Sequence, residues 1–152
     1  MKALCIVPCG KKKIWDQNPD AGPTRAKDVY IGPFARKCQA YARTFYPESW
    51  RILSAKYGFL KPDDIISAPY NVSFNDRRTS PVGVKEMSSQ AEKQKFSEYE
   101  HFVVLGGKNY VSIMGQVFGS ARIMTPLSGC SGIGYMMKRL NEAINRGVAI
   151  PR

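Results

Sequence analysis

ILSAKYGFLKPDDIISAPYN, residues 52–71, sets an apolar run beside a Lys-Tyr-Gly turn, two adjacent carboxylates and a Pro-Tyr-Asn step. The run starts at Trp50 and reaches Ser54 without the apolar-polar alternation of a half-exposed strand, so it reads as a strand buried on both faces. Three more runs share that character: residues 3–7, 102–105 and 121–124. Segments of helical spacing lie between them. Phe34, Cys38, Tyr41, Ala42 and Phe45 form one apolar face, and Pro47 ends it. Ser80 followed by Pro81 reads as the cap and first turn of a helix reaching about Tyr99. Tyr110, Val111, Met114 and Val117 mark a shorter helix, and Ile133, Met136, Met137, Leu140 and Ile144 a last one. Alternating strands and helices imply βαβ units with right-handed crossovers. The expected fold is α/β: a three-layer α/β/α sandwich on a mainly parallel sheet of about four strands, in a single domain covering residues 1–152.

A chain of 152 residues can bury a core without disulfide support. It carries 23 Lys and Arg against 12 Asp and Glu, a formal charge of +11. Such a surplus favours polyanionic partners, because phosphate contacts release counterions and draw lysines from a distance. Cys5, Cys9, Cys38 and Cys130 form no CxxC pair and His101 is the single histidine, so neither a zinc site nor any other metal or cofactor is expected. Reduced thiols, no signal peptide and no membrane span are expected, and hence a cytoplasmic protein. Nothing in the sequence fixes the oligomeric state.

In an open parallel sheet, ligands gather beyond the carboxyl ends of the strands. Each expected strand here runs into a distinctive loop: PCGKKK, AKYGF, GGKNY and TPLSGCSGIG. Lys11, Lys12, Lys13 and Lys108 then share one edge with the Lys-Tyr-Gly turn, where Gly10 and Gly58 let backbone approach a phosphate. GGKNY lacks the spacing and hydroxyl residue of a P-loop, and GCSGIG, superficially like a dinucleotide fingerprint, follows the last strand rather than the first with no acidic strand end after it. Residues 16–23 and 69–79 read as functional loops. Ser54, Lys56, Tyr57 and Gly58 are expected to line one pocket with Cys9 and Gly10.

The segment after that turn resembles the LSxxYGxLxPxDxIxxPY signature of the peroxide-stress YaaA family. The opening CGKKK and the DVYIGPF stretch are closer still to an uncharacterised family of short bacterial and phage proteins that shares this core. The resemblance implies a core of the uracil-DNA glycosylase kind and an association with DNA. TPLSG is similar to the Pro-Leu-Ser loop of those glycosylases. Leu127 would there be a wedge supporting a flipped nucleotide and Ser128 a phosphate or backbone contact. Thr125 stands near the place of their histidine.

Cleaving an N-glycosidic bond needs a carboxylate facing the sugar, a positioned water or amine, and a donor to the departing base. Asp64 matches the acidic residue of the signature, and Asp28 is the second carboxylate. Either can equally be a turn or cap residue. Tyr70 and Asn71 offer a ring and a bidentate amide for a base edge, and Trp15, Tyr30, Tyr57 and Tyr110 further stacking surfaces. Lys56 is an amine nucleophile if desolvated, or a phosphate contact. Cys9, beside three lysines, is a reactive thiolate or a lining residue. The leading expectation is a nucleic-acid-acting protein, with DNA ahead of RNA, that excises or exchanges a modified or damaged base. The alternatives are a non-catalytic DNA-binding or protection module and a nucleoside- or nucleotide-processing enzyme.

Overall fold

A computed structural model describes residues 2–151. In chain order its elements are β1 (Ala3–Pro8), α1 (Ile14–Gln17), β2 (Thr24–Arg25), α2 (Ala26–Val29), α3 (Pro33–Phe45), β3 (Trp50–Ser54), β4 (Gly58–Leu60), β5 (Ile65–Ile66), α4 (Val84–Lys93), β6 (His101–Val104), α5 (Lys108–Phe118), β7 (Ile123–Met124) and α6 (Ile133–Arg146).

Every residue of β1 is buried, as its unbroken apolar run requires. Successive side chains of a strand point to opposite faces. Accordingly Ala3, Cys5 and Val7 join a core with Cys38 and Tyr41 of α3 and Leu140 of α6. Leu4 and Ile6 join a second core with Met87 of α4 and Met114 of α5. The second core holds an aromatic cluster in which Phe102 and Phe118 stack at 3.8 Å between centroids.

The central sheet has five strands in the order β4-β3-β1-β6-β7. β3, β1, β6 and β7 run parallel, so the expected mainly parallel α/β architecture holds. The added strand is β4, which turns back antiparallel on β3 directly after the Lys-Tyr-Gly turn. From β1 the chain steps outward to β3, then crosses back to β6 and β7. The direction of winding reverses between β1 and β6, which leaves a crevice at their carboxyl ends. A separate two-stranded pair, β2 with β5, ties residues 24–25 to residues 65–66.

Two expected elements are shorter than the sequence pattern indicated. Ser80 is no helix cap: it closes a 3-10 turn (Arg77–Thr79) with φ 57, and the Val82 N–H bonds the Ala55 carbonyl at 2.7 Å. That bond holds the Pro81-Val82 step against the end of β3, so α4 starts only after Gly83 and ends before Gln94. In the run 121–124 only Ile123 and Met124 pair, because Ala121 is taken up by a 3-10 turn (Ser120–Arg122). Among the described residues no helix is long and apolar enough to cross a membrane.

Candidate functional site at the strand ends

The crevice at the winding reversal is occupied by a cavity of about 960 Å³. Its floor comes from the loops that leave the parallel strands: Cys9, Gly10, Lys11 and Lys13 after β1, Ala55 after β3, and Gly107 to Tyr110 after β6. The first residues of α3, and Ile133 and Met136 of α6, add two sides, and the 71–79 segment closes a third. α3 and α5 both begin here, and neither has a side chain capping its free N–H groups. Helix starts of this kind carry partial positive charge. Lys11 and Lys108 add whole charges, and the Lys13 amine lies buried beside them. Among the described residues lining the cavity, Asp76 is the carboxylate, and Arg78 engages it from Nε at 3.0 Å and Nη2 at 3.1 Å. That guanidinium, with the Arg78 N–H, holds the Asp76 carboxyl below the usual carboxylate range. The lining of the cavity is therefore electropositive on balance.

Gly10 has φ +75, a conformation open to glycine at little cost, and its turn lets the chain pass close to Ala35. The Tyr110 phenol sits over this turn, 3.3 Å from the Cys9 Sγ. Burial and the neighbouring Cys9 push its ionisation far above the ordinary range. Phe74 meets the Tyr110 ring edge-on at 5.8 Å. Asn109 and Asn75 join through their side-chain amides and link α5 to the 71–79 segment.

A second cavity of about 320 Å³ adjoins the first through Lys11, Lys13 and Asn71, and is further lined by Trp15, Asp16, Pro69 and Tyr70. Beneath it lies a chain of hydroxyls. Tyr70 Oη bonds Ser54 Oγ at 2.9 Å and also Tyr30 Oη. Ser54 Oγ accepts the N–H groups of Lys56 at 3.2 Å and Tyr57 at 3.1 Å, which fixes the Lys-Tyr-Gly turn. Burial, partly offset by the bonds to Ser54 and Tyr30, pushes the Tyr70 pKa up to about 12. Tyr30, more deeply buried and next to Tyr70, is raised further. Lys13 Nζ lies 4.6 Å from the centre of the Tyr70 ring, and Lys56 Nζ 5.5 Å.

Residues 4–142 match a family of unknown function, DUF6884. The chain belongs to DUF6884. It is similar to the uncharacterized protein YfjM of Bacillus subtilis (strain 168), with 50% identity over 145 residues that cover 95% of this chain and 96% of YfjM. No solved structure matches it.

In this DUF6884 chain Cys9, Gly10, Lys11, Lys13, Tyr70, Asn71 and Lys108 come together around the two cavities. Ser54, Tyr30 and Tyr57 support them from below, Tyr57 packing edge-on against Tyr70 at 5.3 Å. Lys56 is exposed with its amine over the Tyr57 ring. Ser54, Lys56, Tyr57 and Gly58 do not line the cavity that holds Cys9 and Gly10; Ala55 is the residue of that turn that does. Gly58 lines neither cavity: it packs on Gln90 of α4, whose Oε1 lies 2.0 Å from where a Cβ would stand. Lys12 is exposed outside both cavities.

Asp64 also lines neither cavity, because its carboxylate closes the Pro62 turn by accepting the Lys61 N–H at 2.8 Å. Asp28 is exposed on α2, away from both. Leu127 is 1% exposed in the core with α3 and α6, so it is packing and no surface wedge. Ser128 is exposed on the turn before α6, and its carbonyl accepts from Arg139 at 3.4 Å. Phe74, Asn75, Asp76, Thr79 and Asn109 are cavity residues that sequence reasoning did not single out. The irregular polar stretch 69–79 marked the segment, while nothing local marked which of its side chains turn inward.

Proposed function

We propose that this protein acts on nucleic acid, DNA ahead of RNA, by receiving one nucleotide unit in the strand-end cleft and cleaving or exchanging its N-glycosidic bond. The observation that carries the reading is the union, at the β1/β6 crevice, of two uncapped helix starts with Lys11 and Lys108 beside the aromatic rings of Phe74 and Tyr110. Phosphate suits the first set, and a base the second. The amides of Asn71, Asn75 and Asn109 supply donors and acceptors for a base edge. We take the architecture to be a three-layer α/β/α sandwich of the glycosylase kind, on the support of two cores that take alternate residues of β1.

The carboxylate role passes from Asp64 and Asp28 to Asp76. Kept ionised by Arg78, it suits stabilisation of a cationic sugar better than proton abstraction. Salt-dependent binding of an oligonucleotide tests the polymer part. Lys11→Ala with Lys108→Ala should lower the slope of log K against log salt by about one unit per lysine. Absence of DNA and RNA binding at low salt, with a mononucleotide still bound, would turn the reading to a nucleotide-processing enzyme. Mass spectrometry of bases released from modified DNA tests the chemistry. Asp76→Asn should lower release by ~10²-fold with little change in affinity, and binding with no release from any substrate would leave a non-catalytic DNA-binding module.

A further inference from the structure

Lys13 is the only charged residue in the core among the described residues, 7% exposed, and it lies between the two cavities. A protonated amine has three N–H groups to satisfy. Here Nζ donates to the Lys11 carbonyl at 3.1 Å and otherwise faces the Tyr70 ring. The nearby carboxylate of Asp16 is engaged by the Lys13 backbone N–H at 2.8 Å. Exposed lysines in this basic chain suit phosphate contacts, whereas a lysine whose surroundings offer its N–H groups so few acceptors suits work as a neutral amine.

We propose that Lys13 is an imine-forming nucleophile that condenses with the aldehyde of a ring-opened sugar phosphate, the group left at a nucleotide position after its base has gone. The inference rests on the nucleotide-unit reading of the cleft. The neutral Nζ attacks the aldehyde carbon and a C–N bond forms. The carbonyl oxygen takes up a proton to give a carbinolamine, and loss of water leaves the protonated imine. Lys11 and Lys108 are placed to hold the phosphate. Desolvation lowers the Lys13 pKa, and the like charge of Lys11 acts in the same sense, while Cys9 and Asp16 oppose it. The other titratable groups facing it are the Tyr70 phenol, with Tyr30 bonded behind it, and Lys56 across the same ring.

The experiment is reductive trapping with cyanoborohydride followed by peptide mapping. One arm uses an oligonucleotide containing a single aldehydic abasic site, a second uses 2-deoxyribose 5-phosphate, and a third measures binding of the same oligonucleotide with a tetrahydrofuran residue that cannot form an imine. The expected adduct maps to Lys13, forms at least ~10-fold faster than at any exposed lysine, and has a pH profile that bends below the 10.5 of an ordinary lysine. Lys13→Arg keeps the charge and should abolish the adduct, while Lys85→Arg on α4 should not. Mapping on the unaltered protein gives the answer even if Lys13→Arg does not fold. Tetrahydrofuran binding without a Lys13 adduct overturns the amine and spares the nucleotide reading. A Lys13 adduct with the free sugar phosphate alone supports the amine and removes the polymer. Adducts spread over exposed lysines, or none in either trapping arm, overturn the proposal.

Discussion

Gly58→Ala strains the backbone and displaces the Gln90 amide at the same time. Gly58 has φ +78, and placing alanine there costs about 1 to 2 kcal/mol from backbone crowding alone. The new methyl would also stand 2.0 Å from Gln90 Oε1, so the amide must leave. With it go the bond from the Phe59 N–H to Oε1 at 3.0 Å and the bond from Nε2 to the Tyr57 carbonyl at 2.9 Å. At about 1 kcal/mol each, these bring the total to roughly 3 to 4 kcal/mol. For a chain of this size the expected fall in melting temperature is roughly 6 to 16 °C. Urea unfolding of four proteins gives the sharper test: the unaltered chain, Gly58→Ala, Gln90→Ala and the double variant. Gln90→Ala alone should cost about 2 kcal/mol and, in the Gly58→Ala background, close to nothing, because the bonds it removes are already broken. A loss under ~1 kcal/mol for Gly58→Ala, or an equal cost of Gln90→Ala in both backgrounds, would refute the reasoning.

The raised Tyr70 ionisation makes stability fall at high pH: an unfolded phenol loses its proton near 10, the folded one near about 12, so up to about 2 to 3 kcal/mol present below pH 10 is lost as pH rises through that window. Unfolding at pH 9 and pH 12 should show a smaller difference in Tyr70→Phe than in the unaltered chain. Leu127→Ala should cost about 2 to 5 kcal/mol by chemical denaturation and leave DNA affinity unchanged at fixed salt, whereas a wedge would show the reverse. Asp64→Ala should cost about 1 kcal/mol from the lost Lys61 bond and change neither binding nor turnover; a large loss of turnover would return the carboxylate role to Asp64.

The sheet was legible because burial on both faces leaves an apolar run with no alternation, and four such runs separated by helical spacing admit few arrangements. The strand-end loops followed from that alone, and with them Cys9, Gly10, Lys11, Lys13 and Lys108. Side-chain roles inside the 52–71 stretch were harder. Asp64 and Gly58 stand out in sequence for the same reason that turns need them, so the residue types alone did not separate folding from chemistry. Lys13 looked like its two neighbours, and its burial depends on Tyr70, which lies 57 positions away and meets it through the antiparallel bridge of Lys13 to Tyr30. Asp76 and Asn109 enter the site through the packing of α5 against the 71–79 segment, a contact that no local pattern encodes.

The glutamines that fasten α4 to β4 have a consequence for how molecules of this protein meet one another. An outermost strand normally offers a row of unpaired N–H and C=O groups, a template on which strands of other chains can grow. Here Gln90 and Gln94, one helical turn apart, lay their amides along that row: Gln90 takes the Phe59 N–H and bonds the Tyr57 carbonyl, and Gln94 Nε2 bonds the Phe59 carbonyl at 3.1 Å. Arg51 Nε donates to Gln94 Oε1 at 2.8 Å, so both ends of that amide are engaged. Two side chains thus imitate a sixth strand. At the opposite margin β7 pairs through only two residues, too short a rail for a neighbour to follow. Both margins of the sheet thus offer little free backbone to a strand of another molecule, which keeps this protein from polymerising through its own main chain.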